Sequence, residues 1–224
     1  MSLNVKGWLG LAALAAVVAA LIFAAAGTFD YWQAWVFLAV FFGASTLQTV
    51  DVMRRDPALL RRRLAGGPFA EKEPPQRLIM LGISLGFIGL IVVPGLDHRF
   101  SWSSVPLIVV IAGEALIAVG FFIVLLVFRE NSFTAATVEI APDQRVITTG
   151  PYAVVRHPQY AGSFLYLFGT PLALGSWWGV LVLAAMTPFL IWRLVDEERV
   201  LTAGLPGYAE YRARVRFRLI PGVY

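Results

Sequence analysis

The sequence predicts an all-α integral membrane protein of about six transmembrane helices, with cytoplasmic interfacial helices and one small β-hairpin loop. Three observations lead there. Hydrophobic residues make up 58% of the 224 and charged residues only 14%, against about 25% charged in a soluble globular domain. The mean hydropathy is +0.73, and one water-soluble core of this size cannot hide that much apolar surface. Apolar runs also recur along the chain at lengths near the ~20 residues that a bilayer core requires of a helix.

Those runs are Gly7–Gly27, Tyr31–Val50, Leu78–Leu96, Val105–Phe128, Tyr160–Leu174 and Trp177–Val195. The first is too long for the apolar region of a signal peptide, and a second run follows almost at once, so no cleavable leader is expected. Phe29-Asp30-Tyr31-Trp32 makes a tight first connection. Gly175-Ser176 makes a tighter one, so the fifth and sixth runs are expected to pair antiparallel. Between the second and third runs, Asp56 can cap a short helix with Pro57 at its first position. Leu59, Leu60 and Leu64 would share one face of it and arginines the other. That pattern suits a helix in the headgroup layer, either as a lipid anchor or as a lid over a cytoplasmic pocket. The Arg129–Gly150 stretch is too polar to span. Thr137-Val-Glu-Ile and Arg145-Val-Ile-Thr flank Ala-Pro-Asp-Gln, which predicts the β-hairpin, and helix is expected to resume around Pro151.

Orientation follows from the placement of Lys and Arg. With six spans, 17 of the 18 fall in segments on one side and only Arg99 on the other. Both termini and every long polar segment are therefore expected in the cytoplasm. The chain reads as one membrane domain over 1–224, with N-terminal spans and an interfacial helix in 1–103 and a polar, chemistry-bearing core in 104–224. The absence of cysteine excludes disulfides, thiolate nucleophiles and iron–sulfur clusters. With two histidines, His98 and His157, a histidine-rich metal site is not expected, and neither a metal nor a nucleic acid is an expected partner.

Three polar clusters interrupt this apolar background. Gly150-Pro-Tyr152-x3-Arg156-His157-Pro158-Gln159-Tyr160-x-Gly162 lies where a cytoplasmic loop meets the fifth span. A helix start there offers free N–H groups and the positive end of a dipole, and Arg156, His157 and the tyrosines add side-chain donors. The cluster reads equally well as a ligand site or as an interfacial belt reaching for headgroups. Arg193-x3-Glu197-Glu198 lies where the sixth span leaves the membrane. Arg193 and Glu197 share a helix face, as a surface ion pair or as receptors for an anionic and a cationic group. The antiparallel fifth and sixth spans would bring these two clusters together. The third, Tyr208-x2-Tyr211 followed by Arg212, Arg214, Arg216 and Arg218, could cover a pocket or hold anionic headgroups.

These motifs, in this order, resemble those of the isoprenylcysteine carboxyl methyltransferases and their bacterial relatives. Gly207-Tyr208-x2-Tyr211-x3-Val215 and Leu219-Ile-Pro-Gly extend the likeness over about residues 129–224, and Arg55-Asp-Pro-x-Leu-Leu-x-Arg-Arg-Leu looks like bacterial members. The resemblance implies S-adenosylmethionine as cofactor. By position it implies cofactor contacts from Gln144, Arg145, Val146, Ile147, Tyr152, His157, Pro158, Gln159, Tyr160 and Glu197, and a substrate-orienting role for Arg193. The family often has a histidine where Gln144 stands. It further implies methyl transfer to a lipophilic or small acceptor, foremost a carboxylate, in a bacterial inner membrane with the site on the cytoplasmic face. Phospholipid N-methylation and thiol S-methylation share the architecture. A membrane reductase using NADPH carries a similar Arg-His-Pro-x-Tyr motif, but tends to place an acidic residue soon after it, where this chain has Ser163 and Phe164. A non-enzymatic membrane scaffold would not need His157, Arg193 and Glu197 to converge.

Overall fold

A computed structural model describes residues 1–66, 74–134, 137, 138, 140, 141 and 143–224. The described residues form eight α-helices: α1 Leu3–Ala26, α2 Trp32–Arg55, α3 Pro57–Leu64, α4 Pro74–Phe100, α5 Leu107–Glu130, α6 Pro158–Ala173, α7 Trp178–Gly204 and α8 Tyr208–Arg214. Five of them (α1, α2, α4, α5 and α7) are long and apolar enough to cross a bilayer. The fifth expected span, α6, has 16 residues and is about 24 Å long at 1.5 Å per residue, short of a ~30 Å hydrocarbon core.

Glycines set the helix spacing. A Cβ on Gly120 of α5 would lie 2.5 Å from the Gly162 carbonyl oxygen of α6, and one on Gly162 would lie 2.8 Å from the Gly120 carbonyl oxygen. Gly113 and Gly169 repeat the contact two turns away. Small residues let backbones approach this closely where lipid supplies no hydrophobic drive between helices. Along α4, Gly82, Gly86 and Gly89 receive Phe189, Met186 and Val182 of α7. A polar clamp closes the end where α4 finishes and α7 begins. The buried Asp97 carboxylate accepts from the Ser103 N–H at 2.7 Å, the Ser103 hydroxyl at 2.6 Å and the Ser176 hydroxyl at 2.5 Å. Beside it the Tyr31 hydroxyl donates to the Leu174 carbonyl.

Among the described residues, every Lys and Arg except Arg99 belongs to the opposite end, with the start of α1, the end of α2, α3, the start of α4, the end of α5, the start of α6, the end of α7 and α8. The charge asymmetry read from the loops is thus an asymmetry of the folded bundle.

Several expectations change. Asp56 does cap α3, its Oδ1 accepting from the Leu59 N–H at 2.9 Å, with Pro57 first in the helix. Yet Leu59 and Leu60 are buried against Val52, Val124, Val127 and Phe128, so only Leu64 remains for lipid. The described residues of 137–149 contain no strand, and Glu139 and Pro142 of the expected β-hairpin lie outside the described residues. The central turn exists, with the Gln144 N–H donating to the Ala141 carbonyl at 3.0 Å. From its flanks, Ile140 and Val146 pack on Leu205, Tyr208 and Tyr211. Around Pro151 the chain makes a short 3-10 turn, Gly150–Ala153, and α-helix begins only at Pro158.

Candidate functional site

Arg156 and His157 precede α6 and are held by the chain's last segment. Their backbone N–H groups donate to the carbonyls of Phe217 and Arg218, both at 2.9 Å. The Arg156 guanidinium donates from Nε to Glu198 Oε1 at 2.6 Å and from Nη1 to the carbonyls of Val215 and Arg216 at 2.8 and 2.7 Å. Arg218 Nε donates to the other Glu198 oxygen at 2.7 Å. The Arg156 and Glu198 side chains are 5% and 4% exposed. A buried ion pair is tolerable only when its remaining donors and acceptors find partners, and here Nε and Nη1 of Arg156 and both Glu198 oxygens are engaged. Arg156, expected as a ligand donor, is instead structural. So is Glu198, which joins α7, the approach to α6 and the C-terminal segment.

With Glu198 fully engaged, its neighbour Glu197 is left for other work. Glu197 Oε2 accepts from the Tyr160 hydroxyl at 2.7 Å, and the Arg193 guanidinium acts on the same hydroxyl. Arg193 is buried and donates from Nη1 to Gln76 Oε1 at 3.0 Å; the Gln76 amide donates in turn to Asp196. Gln76 thus couples α4 to this face of α7. Its one sequence signal was an amide at the head of an otherwise apolar run.

His157 completes this side. Its ring meets Tyr160 edge-on at 5.8 Å between centroids. Its Nε2 is buried and has no hydrogen-bond partner among the described residues. Burial holds the imidazole below its ordinary pKa, against the opposing pull of Glu197 and Glu198. The Tyr208 hydroxyl is likewise buried and unpartnered among the described residues.

Tyr152 forms the wall between this cluster and α5. Its hydroxyl accepts from Asn131 Nδ2 at 2.9 Å, and its carbonyl accepts from the Tyr211 hydroxyl at 2.8 Å. Burial pushes the Tyr211 phenol up to about 12 and raises Tyr152 and Tyr208 as well, so all three stay protonated at neutral pH. Tyr152, His157 and Tyr208 each sense the Glu197 charge. The fold therefore gathers Tyr152, His157, Tyr160, Arg193 and Glu197, with Val146 packed on the adjoining tyrosines. Pro158 is buried, and Ile147 and Gln159 are half-buried. Arg145 is exposed, while Gln144 Oε1 accepts from its own turn at the Ala141 N–H, 3.0 Å away. Asn131, like Gln76, escaped sequence reasoning, since a lone Asn after an apolar helix reads as a cap.

Residues 108–205 match the model of a protein family described as phospholipid methyltransferase. The chain is also 35% identical over 75 residues to the protein-S-isoprenylcysteine O-methyltransferase of Schizosaccharomyces pombe. That alignment covers 33% of this chain and 32% of the yeast protein, so the chain spans about a third of the length of the curated relative it matches. The family match begins near the start of α5 and ends at Leu205. It takes in Tyr152, His157, Tyr160, Arg193 and Glu197 but not Gln76, Tyr208 or Tyr211. The matched segment thus carries the core of the cluster, while α4 and α8 supply its outer wall.

Proposed function

We propose that this protein is a membrane methyltransferase that uses S-adenosylmethionine and modifies a lipophilic acceptor, foremost a carboxylate. The observation that carries the reading is the buried, unpartnered His157 Nε2 beside the Tyr160–Glu197 pair. A buried polar atom left without a partner is costly, and a ligand atom would satisfy it.

The residues present fit that cofactor. Glu197 suits its cationic end, and Arg193 with the start of α6 suits a carboxylate. Tyr152 and Tyr208 offer aromatic faces. Bound there, S-adenosylmethionine supplies an electrophilic methyl carbon on a sulfonium. The protein's own part is to hold, align and exclude water. Tyr160 and Arg193 fix the Glu197 carboxylate, Gln76 fixes Arg193, and the Leu205–Tyr208–Tyr211 cluster closes the polar end. With every phenol protonated and His157 neutral, none of them adds a competing charge next to the reacting centre.

Thermal stabilisation of the purified protein in detergent, with S-adenosylmethionine and NADPH in parallel, tests the reading. We expect a shift with S-adenosylmethionine, reduced in Glu197→Gln by a weakening of about tenfold or more in affinity. A shift with NADPH alone would sink it. The family description favours a second reading, in which the acceptor is a phospholipid amine. Labelled methyl transfer to a prenylcysteine acid, a small thiol and phosphatidylethanolamine separates O-, S- and N-methylation.

A further inference from the structure

Three consecutive arginines close α3, and their fates differ. Arg61 is exposed. Arg62 donates from Nη1 to the Ser132 carbonyl at 2.6 Å and lies over the Phe133 ring at 5.2 Å. Arg63 turns inward. Its guanidinium lies 4.6 Å from the centroid of the Phe128 ring and within electrostatic reach of Tyr166 on α6. Its Nη1 is buried and has no hydrogen-bond partner among the described residues.

An arginine in a headgroup-level helix ordinarily extends its charge toward water. Arg63 does the reverse and places a permanent cation over the ring of Phe128, which itself packs in the apolar cluster of Leu59, Leu60, Val124 and Val127. The Phe128 face offsets part of the charge, but a ring cannot accept the in-plane N–H donors, which match a carboxylate or phosphate. The place is also apt. Tyr152 and Tyr166 pack on this cluster, and Tyr152 packs equally on the Leu205–Tyr208–Tyr211 cluster. Arg63 thus caps a cluster that shares Tyr152 with the candidate site, on the side where α3 meets the bundle.

We propose that Arg63 is the receptor for the anionic group, carboxylate or phosphate, of a membrane-borne ligand entering between α3, Phe128 and Tyr166. Where that ligand is the methyl acceptor, the inference rests on the methyltransferase reading above. Arg63 is then a specificity-determining residue that selects an acid over its neutral analogue.

Binding decides this independently of turnover. The full chain in a neutral maltoside detergent is titrated with N-acetyl-S-farnesylcysteine, with its carboxamide analogue, and separately with phosphatidylglycerol against phosphatidylcholine. Wild type should prefer the acid to the amide by about tenfold or more. Arg63→Gln should erase the preference, and Arg63→Lys should keep part of it. Without ligand, Arg63→Gln should melt at the same temperature or higher, because it removes an uncompensated buried charge; a residue there only for packing would lower it. If acid and amide bind alike but phosphatidylglycerol stabilises wild type and not Arg63→Gln, the receptor stands and its anion is a headgroup phosphate. Acid preference and lipid response both unchanged in Arg63→Gln overturn the proposal. Stabilisation by S-adenosylmethionine is followed in each variant. Its absence throughout would remove the methyltransferase reading and leave the anion result intact.

Discussion

Glu197 and Glu198 are adjacent and chemically identical, yet the fold assigns them different work. A helix turns about 100° per residue, so one carboxylate meets Tyr160 and the other meets Arg156 and Arg218. Glu198→Gln should therefore cost stability, on the order of 3–5 kcal/mol for breaking a buried pair, read by denaturation in detergent. Glu197→Gln should melt close to wild type and lose ligand binding instead. His157 makes a prediction in pH. Its folded pKa lies below the ordinary value, about 6.5. Above that pH the ring is neutral whether the chain is folded or not, and its contribution is complete. As pH falls through that value, the unfolded chain takes up a proton that the fold refuses, so stability declines. The melting temperature of wild type should fall more between pH about 7.5 and about 5.5 than that of His157→Gln. The sequence already pointed to His157 and Glu197. It did not separate Arg156 from His157, because that division depends on where carbonyls 215–218 lie, and no local spacing reveals a tertiary partner.

The helices show where local pattern suffices and where it fails. Spans were legible because lipid imposes a length and a composition that only a helix can meet. The loop before α6 was less legible because alternation over a few residues identifies two faces but not what covers them. Ile140 and Val146 find their cover on α8 and the end of α7, a tertiary partner that no local alternation names. The contact between α5 and α6 carries its own expectation. Gly120→Leu would drive a side chain into the Gly162 carbonyl and the backbone N of Tyr166. It should destabilise the protein by about 1–3 kcal/mol or more and disturb ligand binding as well, since α6 carries Tyr160. Gly43→Leu, where a Cβ meets nothing within 4 Å, is the matched control on α2.

For the whole molecule, the absence of cysteine is an experimental opening. Single cysteines introduced at Ser2, Trp102 and Val223 can be labelled in intact cells with a membrane-impermeant maleimide. The charge count predicts labelling at Trp102 and protection at Ser2 and Val223 until the cells are opened. The converse pattern would place the candidate site outside the cytoplasm and overturn the orientation.

The clasp of Arg156, Glu198 and the carbonyls of residues 215–218 also bears on the order of synthesis. All five long helices, and α6 between them, precede that segment in the chain. In chain order Arg156 and Glu198 are therefore made before the carbonyls of residues 215–218 and before Arg218, the second of the two principal cations of Glu198. The clasp thus depends on the final segment of the sequence and not on the long helices alone, so the presence of those helices in a membrane is by itself no measure of whether the clasp has formed.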